Sequence, residues 1–295
     1  MRNATLPFNT HDVRVVPVAR GTHQFGEHAV IAPLARGGMG GVYMACHERT
    51  GQRVALKVLD PQFAGHAEIV GRLYGEHTIA SRIRHPGVLD IRAAARTAEN
   101  VPYLVMEYLD GENLGALADR EQLSIDRIIS IGAQVAAATA ALHDAGVVHC
   151  DIKPDNIFVL AGSDRIKVID FGVSRFVDDP PNDDGAIAGT PWCMAPEQWD
   201  GAPVPASDVY ALGCTLYELV TGSPPFSGSL PELMLAHIEQ RPARPSWLRP
   251  IPMELERLIL RSLAKDPAQR PTMHELAYEL AALCDTSIVG LTRAA

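Results

Sequence analysis

The stretch GVVHCDIKPDNIFV, residues 146–159, crowds polar side chains into a place where the chain otherwise looks most buried. Apolar runs typical of a helix and of a strand flank it, and Asp151, Lys153 and Asn156 lie in the loop between them. Buried polar groups in proteins are almost always hydrogen-bonded or ion-paired. We therefore expect the side chains of this loop to find partners elsewhere in the chain.

The overall composition is that of an ordinary globular protein. The chain has 295 residues, of which 47% are hydrophobic and 21% are charged, enough to build a sizeable core. Its net charge of −9 argues against a nucleic-acid-binding protein, because such proteins neutralise phosphates with an excess of Lys and Arg.

Cysteine usage and hydropathy predict a cytoplasmic protein without a membrane anchor. The five cysteines are scattered and form no CxxC pair, which argues against a disulfide framework or a zinc site and favours a reducing cytosol. The N-terminal residues lack the continuous apolar segment of a signal peptide. The apolar run Ile128–Leu142 is too short to span a bilayer and predicts a buried helix instead.

The first part of the chain reads as β-rich. Residues 1–25 are mixed in character and predict a loose arm, whereas residues 27–60 alternate in short apolar runs around a glycine cluster. A helix over 66–83 is interrupted by Gly71 and Gly75, each of which costs about 1 kcal/mol relative to Ala in a helix interior. We expect this helix to depend on tertiary support. Residues 101–109 read as a strand and an extended link.

After about residue 110 the pattern becomes mainly helical. A long helix over 125–145 is closed by Gly146, and a second apolar stripe stops at Gly222. Thr272 and Glu275 form a capping box that begins a last helix, predicted to end near Leu283. Two short strands near 157–160 and 166–169 and a long loop over 173–194 complete the pattern. The sequence therefore predicts an α+β protein, with a smaller β-rich part before a larger α-rich part.

A glycine cluster and a lysine suggest phosphate binding. ARGGMGGVYMA, residues 35–45, places several glycines between two strands, where backbone N–H groups can approach an anion closely. A plain turn is the alternative. Lys57 lies among apolar residues in VALKVL, so it either pairs with an anion or extends to the surface. Glu76 is the best carboxylate partner, and Glu68 is a competing choice.

Two oxygen-bearing side chains suggest a metal site. Asn156 lies in the loop of the opening stretch, and Asp170 stands at a strand end in VIDFG. Amide and carboxylate oxygens suit Mg²⁺, which also keeps substrate phosphates in its coordination shell. Either residue alone is more often a turn residue. Together with Lys57 and the glycine turn, in this order, they favour a nucleotide site.

The order of the motifs resembles that of a known family. RGGMGGVY, VALK, a helix Glu before RHP, VMEY, HCDIKPDN, DFG, GTPWCMAPE, SDVYALG and DPAQRPT follow one another over roughly residues 27–284. This order resembles the eukaryotic-type protein kinases, and within them the bacterial Ser/Thr kinases. The resemblance implies a bilobal protein-kinase fold with ATP between a β-rich N-lobe and a mainly α-helical C-lobe. It implies an N-terminal arm over 1–25, an N-lobe over 26–106, a hinge over 107–109, a C-lobe over 110–284 and a C-terminal tail over 285–295.

The resemblance also implies roles for individual residues. Asp151 would orient the substrate hydroxyl or accept its proton, Lys153 would lie against the γ-phosphate, and Lys57 paired with Glu76 would bind the α- and β-phosphates. Asn156 and Asp170 would hold Mg²⁺ or Mn²⁺. The nucleotide would contact Ala35, Arg36, Gly37, Gly38, Met39, Gly40, Val42, Ala55, Lys57, Met106, Glu107, Leu109, Phe158 and Asp170.

Other matched positions imply scaffold roles and a substrate class. Thr190 would meet Asp151 and Lys153, and Asp208 would anchor the backbone of the catalytic loop. Glu197 and Arg270 would form a buried ion pair. Lys153 and the Gly-Thr before PWCMAPE resemble Ser/Thr rather than Tyr kinases, so the expected partner is a protein substrate with Ser or Thr.

Two positions depart from the family pattern. Ala35 replaces the first glycine of the phosphate loop, which a negative φ would tolerate. Cys150 replaces an Arg that in most family members clamps a phosphorylated loop residue. From Val173 to Gly189 the only hydroxyl residue is Ser174. We therefore hypothesise activity without activation-loop phosphorylation, with acidic loop residues, Asp178, Asp179, Asp183 and Asp184, as one device for ordering the loop.

Several alternatives stay open from the sequence. Cys150 and Cys193 are either two buried thiols or a redox latch. The weak helix carrying Glu76 suggests a regulatory partner or a dimer contact. A nucleotide-binding pseudokinase and a small-molecule phosphotransferase are the competing functions, although GTPWCMAPE resembles the peptide-docking segment of protein kinases. Asp110 and Glu112 would favour basic substrates or simply be solvated.

Overall fold

The structure is a computed structural model that describes the backbone of residues 24–180 and 189–292, and side chains as far as residue 284. It separates into two compact units. The smaller unit contains the described residues up to Arg84, together with Val88–Gly111 and Asp170–Gly172. The larger unit contains His85–Gly87, Glu112–Ile169 and the described residues from Val173 onward. The predicted arm lies largely outside the described residues, whereas the backbone of most of the predicted tail is described, and the predicted domain limits stay predictions.

The smaller unit is built on a six-stranded antiparallel sheet with the order β1-β2-β3-β4-β6-β5. Its strands are β1 (Gln24–Phe25), β2 (His28–Gly37), β3 (Gly40–His47), β4 (Arg53–Leu59), β5 (Ile91–Arg96) and β6 (Pro102–Glu107). The strands predicted over 27–60 and 101–109 are therefore present. Gln24 and Phe25 pair with β2 rather than belonging to a loose arm. The core on one face of the sheet is formed by apolar residues that are mainly β-branched or aromatic, with Leu56 beside Val54, Val58, Tyr103 and Val105.

One helix, α1 (Ala67–Ala80), packs on this sheet and lies within the predicted range 66–83. Its buried residues recur at helical spacing and are Val70, Leu73, Glu76, Ile79 and Ala80. The Tyr74 hydroxyl donates to the carbonyl of Ala95 at 3.1 Å and ties the helix to β5. Gly71 and Gly75 face open space, since a Cβ added at either would meet no atom within 4 Å.

The larger unit is mainly helical, as predicted. Its helices are α2 (Leu114–Arg120), α3 (Ile125–Asp144), α4 (Pro196–Trp199), α5 (Pro205–Thr221), α6 (Leu230–Glu239), α7 (Met253–Ser262) and α8 (Met273–Thr292). Its short strands are β7 (Gly111–Asn113), β8 (Val147–Val148), β9 (Ile157–Leu160), β10 (Ile166–Val168) and β11 (Arg175–Phe176). They form one sheet of order β10-β9-β7 and a pair β11-β8.

The helix ends follow the predicted caps with one exception. Gly146 and Gly222 adopt left-handed φ values of 72° and 79° just after α3 and at the end of α5. The Glu275 carboxylate accepts from the backbone N–H of Thr272 at 2.8 Å, completing the predicted box at the start of α8. The predicted end near Leu283 is wrong, because α8 continues to Thr292. No Gly or Pro stands between Leu283 and Gly290 to stop it.

Helix α3 is the apolar segment that the sequence singles out. The expectation that this segment is too short to span a bilayer is wrong, because α3 has 20 residues and is, by length and composition, the one helix of the described residues that could cross a membrane. However, 56% of its most apolar window is buried inside the protein. Ile128, Ile131, Val135 and Ala138 are almost fully buried. Such burial is typical of the core helix of a folded domain.

Candidate active site

The smaller unit contains a buried lysine held by two carboxylates. Lys57 projects from β4, and its Nζ donates to Glu76 Oε1 at 2.7 Å and to Glu76 Oε2 at 2.8 Å. It also donates to Asp170 Oδ1 at 3.2 Å. Glu76, not Glu68, is therefore the partner, and the predicted pair is confirmed. The pair forms because Glu76 falls on the inward face of α1.

Burial and charge act in opposite directions on this pair. Burial raises the pKa of the Glu76 carboxyl to about 7, and the charge of Asp170 adds to this effect against the attraction of Lys57. Burial lowers the pKa of Lys57, but attraction to Glu76 and then Asp170 outweighs it and leaves that pKa above its ordinary value. Lys57 therefore keeps its charge near neutral pH, and Glu76 is the member that titrates.

The glycine cluster forms a tight hairpin between β2 and β3. Gly37 pairs with Gly40, so Gly38 and Met39 form the turn, and the Met39 carbonyl accepts from Asp60 N at 2.8 Å. A Cβ at Gly40 would lie 2.1 Å from the Val58 carbonyl oxygen, closer than any real contact. Only glycine lets this hairpin approach β4.

The departure at Ala35 is accommodated by ordinary strand geometry. Ala35 pairs with Val42 across the hairpin, next to the flanking Arg36–Gly41 pair. Its φ is not among the positive values found at described non-glycine residues. The condition set from the sequence, a negative φ that tolerates a methyl group, is met.

The residues predicted to contact the adenine base occupy defined positions in their own units. In the smaller unit Val42 pairs with Lys57, and Ala55 pairs with the buried Met106. The backbone N–H of Glu107 donates to Asp90 at 2.9 Å, and its carboxylate accepts from Asp90 N at 2.8 Å, which fastens the start of the predicted hinge that includes Leu109. In the larger unit Phe158 lies on β9. The binding roles of these residues stay predictions.

The loop of the opening stretch carries a second buried polar cluster. Thr190 Oγ1 donates to Asp151 Oδ1 at 2.5 Å, and Lys153 Nζ donates to Thr190 Oγ1 at 2.6 Å. Lys153 Nζ also lies 2.9 Å from Asp151 Oδ2. The predicted meeting of Thr190 with both residues is confirmed. The cluster holds one carboxylate rigidly among donors, as a group that handles a hydroxyl proton requires.

Asn156 is oriented by the same carboxylate. Its Nδ2 donates to the Asp151 carbonyl oxygen at 2.8 Å and to Asp151 Oδ2 at 2.9 Å. An amide that spends both N–H donors in this way presents its Oδ1 as an acceptor. That oxygen is a hard ligand of the kind that a divalent cation prefers, and the Asp170 carboxylate of the smaller unit is another; their joint binding of one cation stays a prediction.

The predicted cation would need further ligands from outside the protein. Within residues 24–180 and 189–284, no group of three or more His, Cys, Asp or Glu side chains could hold a metal ion by itself. Mg²⁺ in phosphate-transfer sites is bound by one or two protein oxygens, with phosphates and water supplying the rest. Taken one by one, the oxygens of Asn156 and Asp170 are of the chemical kind that such sites use.

Asp208 fixes the backbone that leads into Asp151. Its Oδ2 accepts from His149 N and its Oδ1 from Cys150 N, both at 2.8 Å, as predicted. His143 Nε2 lies 2.8 Å from Asp208 Oδ2, a contact that the sequence did not reveal. Cys150 is held in the left-handed region with a φ of 67°. Backbone in that region persists only when its surroundings hold it there.

The second predicted scaffold pair is also present. Arg270 NH1 and NH2 bind the two Glu197 carboxylate oxygens at 2.6 and 2.9 Å. The Arg270 guanidinium lies over the Tyr210 ring, 4.9 Å from the ring centre. The Arg270 side chain is fully buried. A bidentate, stacked arginine of this kind fixes geometry as well as charge.

At the start of the loop after DFG, Arg175 binds backbone carbonyl oxygens and not an acidic side chain of the described part of the loop. Arg175 NH2 donates to the Asp179 carbonyl oxygen at 2.8 Å and to that of Pro180. The Asp179 carboxylate instead accepts from Phe176 N at 2.8 Å. The acidic positions at 183 and 184 lie outside the described residues.

The Cys150 and Cys193 thiols have different neighbours. The neighbouring Cys214 thiol and burial raise the pKa of the Cys193 thiol well above its ordinary value. Cys150 Sγ instead faces the Val148 carbonyl at 3.6 Å. All five cysteines are free thiols. The choice between two buried thiols and a redox latch of Cys150 with Cys193 therefore stays open.

Comparison with known proteins identifies the class. The model of the protein kinase domain family matches residues 29–279. The chain is 39% identical over 253 residues to the Ser/Thr-protein kinase Pkn1 of Myxococcus xanthus, covering 83% of this chain and 36% of that protein. It is 38% identical to PknD of Mycobacterium tuberculosis, covering 84% of this chain and 38% of PknD. With PknA of the same species it shares 35% identity, over 83% of this chain and 58% of PknA.

The chain therefore belongs to the protein kinase family. The branch is that of the bacterial, eukaryotic-type Ser/Thr kinases, to which these relatives belong by name. The predicted fold, a β-rich unit and a helical unit, is confirmed. The chain spans less than two thirds of the length of these relatives, at 36%, 38% and 58%.

Proposed function

We propose that this chain is an ATP-dependent protein Ser/Thr kinase that transfers the γ-phosphoryl group to protein hydroxyls with Mg²⁺ or Mn²⁺. The names of its relatives support this activity. The observation that carries the proposal is the buried Asp151 carboxylate, which Thr190, Lys153 and Asn156 surround at 2.5 to 2.9 Å. A carboxylate so held is ready to accept a hydroxyl proton.

The residues divide the work of phosphoryl transfer. A bound ATP with its cation would supply the phosphoryl group. Lys57, held in place by Glu76, would bind phosphate oxygens, and Asn156 and Asp170 would be the ligands of the cation. Asp151 orients the substrate hydroxyl and takes its proton. Lys153 provides positive charge beside the attacked phosphorus and keeps Thr190 in contact with Asp151.

A transfer assay with labelled ATP and a generic basic protein tests the activity. We expect phosphate on Ser and Thr of the substrate, and a fall of at least about 100-fold in kcat for Asp151→Asn, because the variant lacks the base. Nucleotide binding without any transfer by the unaltered chain would overturn the proposal and favour the pseudokinase, for which Ala35 and Cys150 are the grounds. Transfer to small alcohols or amines but not to protein would favour the small-molecule phosphotransferase.

We also propose that activity does not require phosphorylation of the activation loop. Cys150 is buried and uncharged at the position where a cation would bind a phosphate. Between Ser174 and Thr190 the sequence contains no hydroxyl residue. Both flanking hydroxyls are engaged, Ser174 Oγ with the His149 carbonyl at 3.0 Å and Thr190 with Asp151. Phosphatase treatment should leave kcat unchanged, and a large loss traced to a loop phosphate would contradict this.

The proposed partners and location rest on fewer observations. The outward glycines of α1 support a regulatory partner or dimer contact that steadies the helix carrying Glu76. Hydrogen exchange of the isolated monomer should show α1 less protected than α5, and equal protection would refute the contact. The Glu112 carboxylate is already paired with Arg120 at 2.6 and 2.7 Å. Of the two acidic residues considered for attracting a basic substrate, Asp110 therefore supports that preference alone. The free cysteines support a cytoplasmic location, which cell fractionation tests.

A further inference from the structure

We propose that Gln198 is a positioning residue for Asp151, linking the catalytic loop to the segment that carries Thr190 without any phosphate. The proposal rests on the kinase activity proposed above and deepens its regulation. Gln198 directly follows the MAPE motif, and its residue type alone indicates no role. Three sets of contacts, all within the larger unit, support the role.

The first set of contacts joins two separate segments through one side chain. Gln198 Nε2 donates to the Cys150 carbonyl oxygen at 3.0 Å, and Gln198 Oε1 accepts from Ala195 N at 3.1 Å. One partner is an acceptor and the other a donor, so only one orientation of the amide satisfies both. The side chain is 3% exposed, so water cannot replace either bond without cost.

The second set of contacts explains why the Cys150 carbonyl matters. Cys150 directly precedes Asp151 and has a φ of 67°, a conformation that non-glycine residues rarely adopt. Its N–H is fixed by Asp208 at 2.8 Å, and its carbonyl by Gln198. Asp208 thus holds the peptide unit that leads into Cys150, and Gln198 holds the carbonyl of the next unit, whose N–H belongs to Asp151 and donates to His149 Nδ1 at 3.3 Å. Loss of the Gln198 bond would leave this second unit held by the 3.3 Å bond alone, so that it could rotate and move the Asp151 carboxylate.

The third set of contacts places the loop backbone against the same carbonyl. A Cβ added at Gly189 would lie 2.9 Å from the Cys150 carbonyl oxygen and 3.2 Å from Gln198 Nε2. Gly189 has a φ of 126° and precedes Thr190, whose hydroxyl binds Asp151. The amide of Gln198 therefore stands where the end of the activation loop meets the catalytic loop.

The Gln198 bonds connect the catalytic loop with the segment after the activation loop, a connection that in most family members an arginine at position 150 would make to a phosphorylated loop residue. The uncharged Cys150 side chain cannot bind a phosphorylated loop residue as an arginine would. Its backbone carbonyl is instead bonded to Gln198, in the segment that follows the loop. A neutral amide makes this link permanently, whereas a phosphate clamp depends on modification. The geometry accordingly assigns to Gln198 a constitutive role in keeping Asp151 in register with Thr190.

The test compares two glutamines that make the same kinds of bond. Gln134 on α3 donates to the Asp164 carbonyl at 2.8 Å and accepts from Ile166 N at 3.3 Å. Neither of these bonds involves Asp151 or a residue that contacts it. In phosphatase-treated full chain, Gln198→Met should lower kcat at least about tenfold with the KM for ATP little changed, since a displaced base affects the chemical step. Gln134→Met should lower the melting temperature but leave kcat near that of the unaltered chain.

A second variant separates positioning from folding. Gln198→Glu keeps the acceptor for Ala195 N but, when ionised, cannot donate to the Cys150 carbonyl. When protonated it regains a donor. The ratio of its kcat to that of the unaltered chain should therefore rise as pH falls, while the ratio for Gln134→Met stays constant. If Gln198→Met does not fold, this pH-dependent ratio decides the matter.

The outcomes are distinct. A kcat for Gln198→Met within twofold of the unaltered chain, or a Gln198→Glu ratio that does not change with pH, overturns the role of Gln198 while the kinase activity stands. No transfer by the unaltered chain overturns the kinase activity and, with it, this proposal. A loss confined to Gln198 variants, with the pH-dependent rescue, supports it.

Discussion

The Glu76 carboxylate accepts two hydrogen bonds from the Lys57 ammonium, at 2.7 and 2.8 Å, although burial raises the pKa of that carboxyl to about 7. A group with such a pKa changes its charge within the range in which enzymes are assayed. Protonation of Glu76 would remove one of the two negative charges that hold Lys57, leaving that of Asp170 at 3.2 Å. The ion pair is therefore both a support of the lysine that we propose to bind phosphate and its point of sensitivity to pH.

The first prediction concerns the acid side of the pH–rate profile. Activity should fall as pH drops through about 7, where Glu76 takes up its proton. Glu76→Gln should lower kcat/KM at least about tenfold, because it replaces a charged hydrogen bond by a neutral one. It should also remove the fall near pH 7. An unchanged acid limb in this variant would show that another group titrates.

Stability should respond to pH in the opposite sense. The folded-state pKa of about 7 lies above the ordinary value of 4.5, so between these values the folded protein binds more protons than the unfolded chain. The contribution of this group to the free energy of unfolding therefore rises as pH falls from about 7 towards 4.5. Urea unfolding at several pH values should show this rise in the unaltered chain and a smaller one in Glu76→Gln.

The second prediction concerns the helix that carries Glu76. Gly75→Ala should raise the stability of α1 by about 0.5–1 kcal/mol, because alanine loses less backbone entropy in a helix and its methyl group would meet only open space. Hydrogen exchange of α1 amides should slow accordingly. Gly222→Ala is the matched control at a φ of 79° and should destabilise the chain. Faster exchange in Gly75→Ala would contradict the account of α1.

The third prediction concerns the glycine hairpin. Gly40→Ala should raise the KM for ATP about tenfold or more, because the new methyl group would force the hairpin away from the Val58 carbonyl. Gly37→Ala is the matched change, since its Cβ would lie an ordinary 3.9 Å from the Gly40 carbonyl. It should have a much smaller effect. Equal effects of the two changes would mean that space against β4 is not what the glycine provides.

The fourth prediction concerns the proposed metal ligands. Asn156→Ala removes both the oxygen offered to a cation and the two bonds to Asp151. Asn156→Asp keeps an oxygen ligand but loses the donors. We expect the alanine variant to need at least about tenfold more Mg²⁺ for half-maximal activity and the aspartate variant to need less of an increase. The measurement is the dependence of the initial rate on free Mg²⁺ at saturating ATP.

The features best predicted from the sequence are those that depend on local periodicity, on the burial of charge or on ordered motifs. Alternating apolar runs gave the strands, and the buried Lys57 required a carboxylate, which is Glu76 as predicted. Asp151 and Thr190 could be brought together because ordered motifs imply known neighbours. These features follow from local periodicity, from the cost of burying a charge, or from the family resemblance.

The features that the sequence did not reveal depend on single contacts between distant residues. Nothing in the residue type of Gln198 or His143 announces a bond to the Cys150 carbonyl or to Asp208. The left-handed φ of Cys150 is likewise imposed by its partners rather than by its own preference. The end of α8 was misjudged because helix caps are weak signals where no Gly or Pro intervenes.

The most direct test of the central claim is phosphosite mapping by mass spectrometry after phosphatase-treated chain is incubated with ATP, Mg²⁺ and a basic protein. We predict phosphate on Ser and Thr of the substrate, none on Ser174 or Thr190 of the enzyme, and none anywhere with Asp151→Asn. Absence of transfer by the unaltered chain, or transfer that begins only once Ser174 or Thr190 is phosphorylated, would contradict the account.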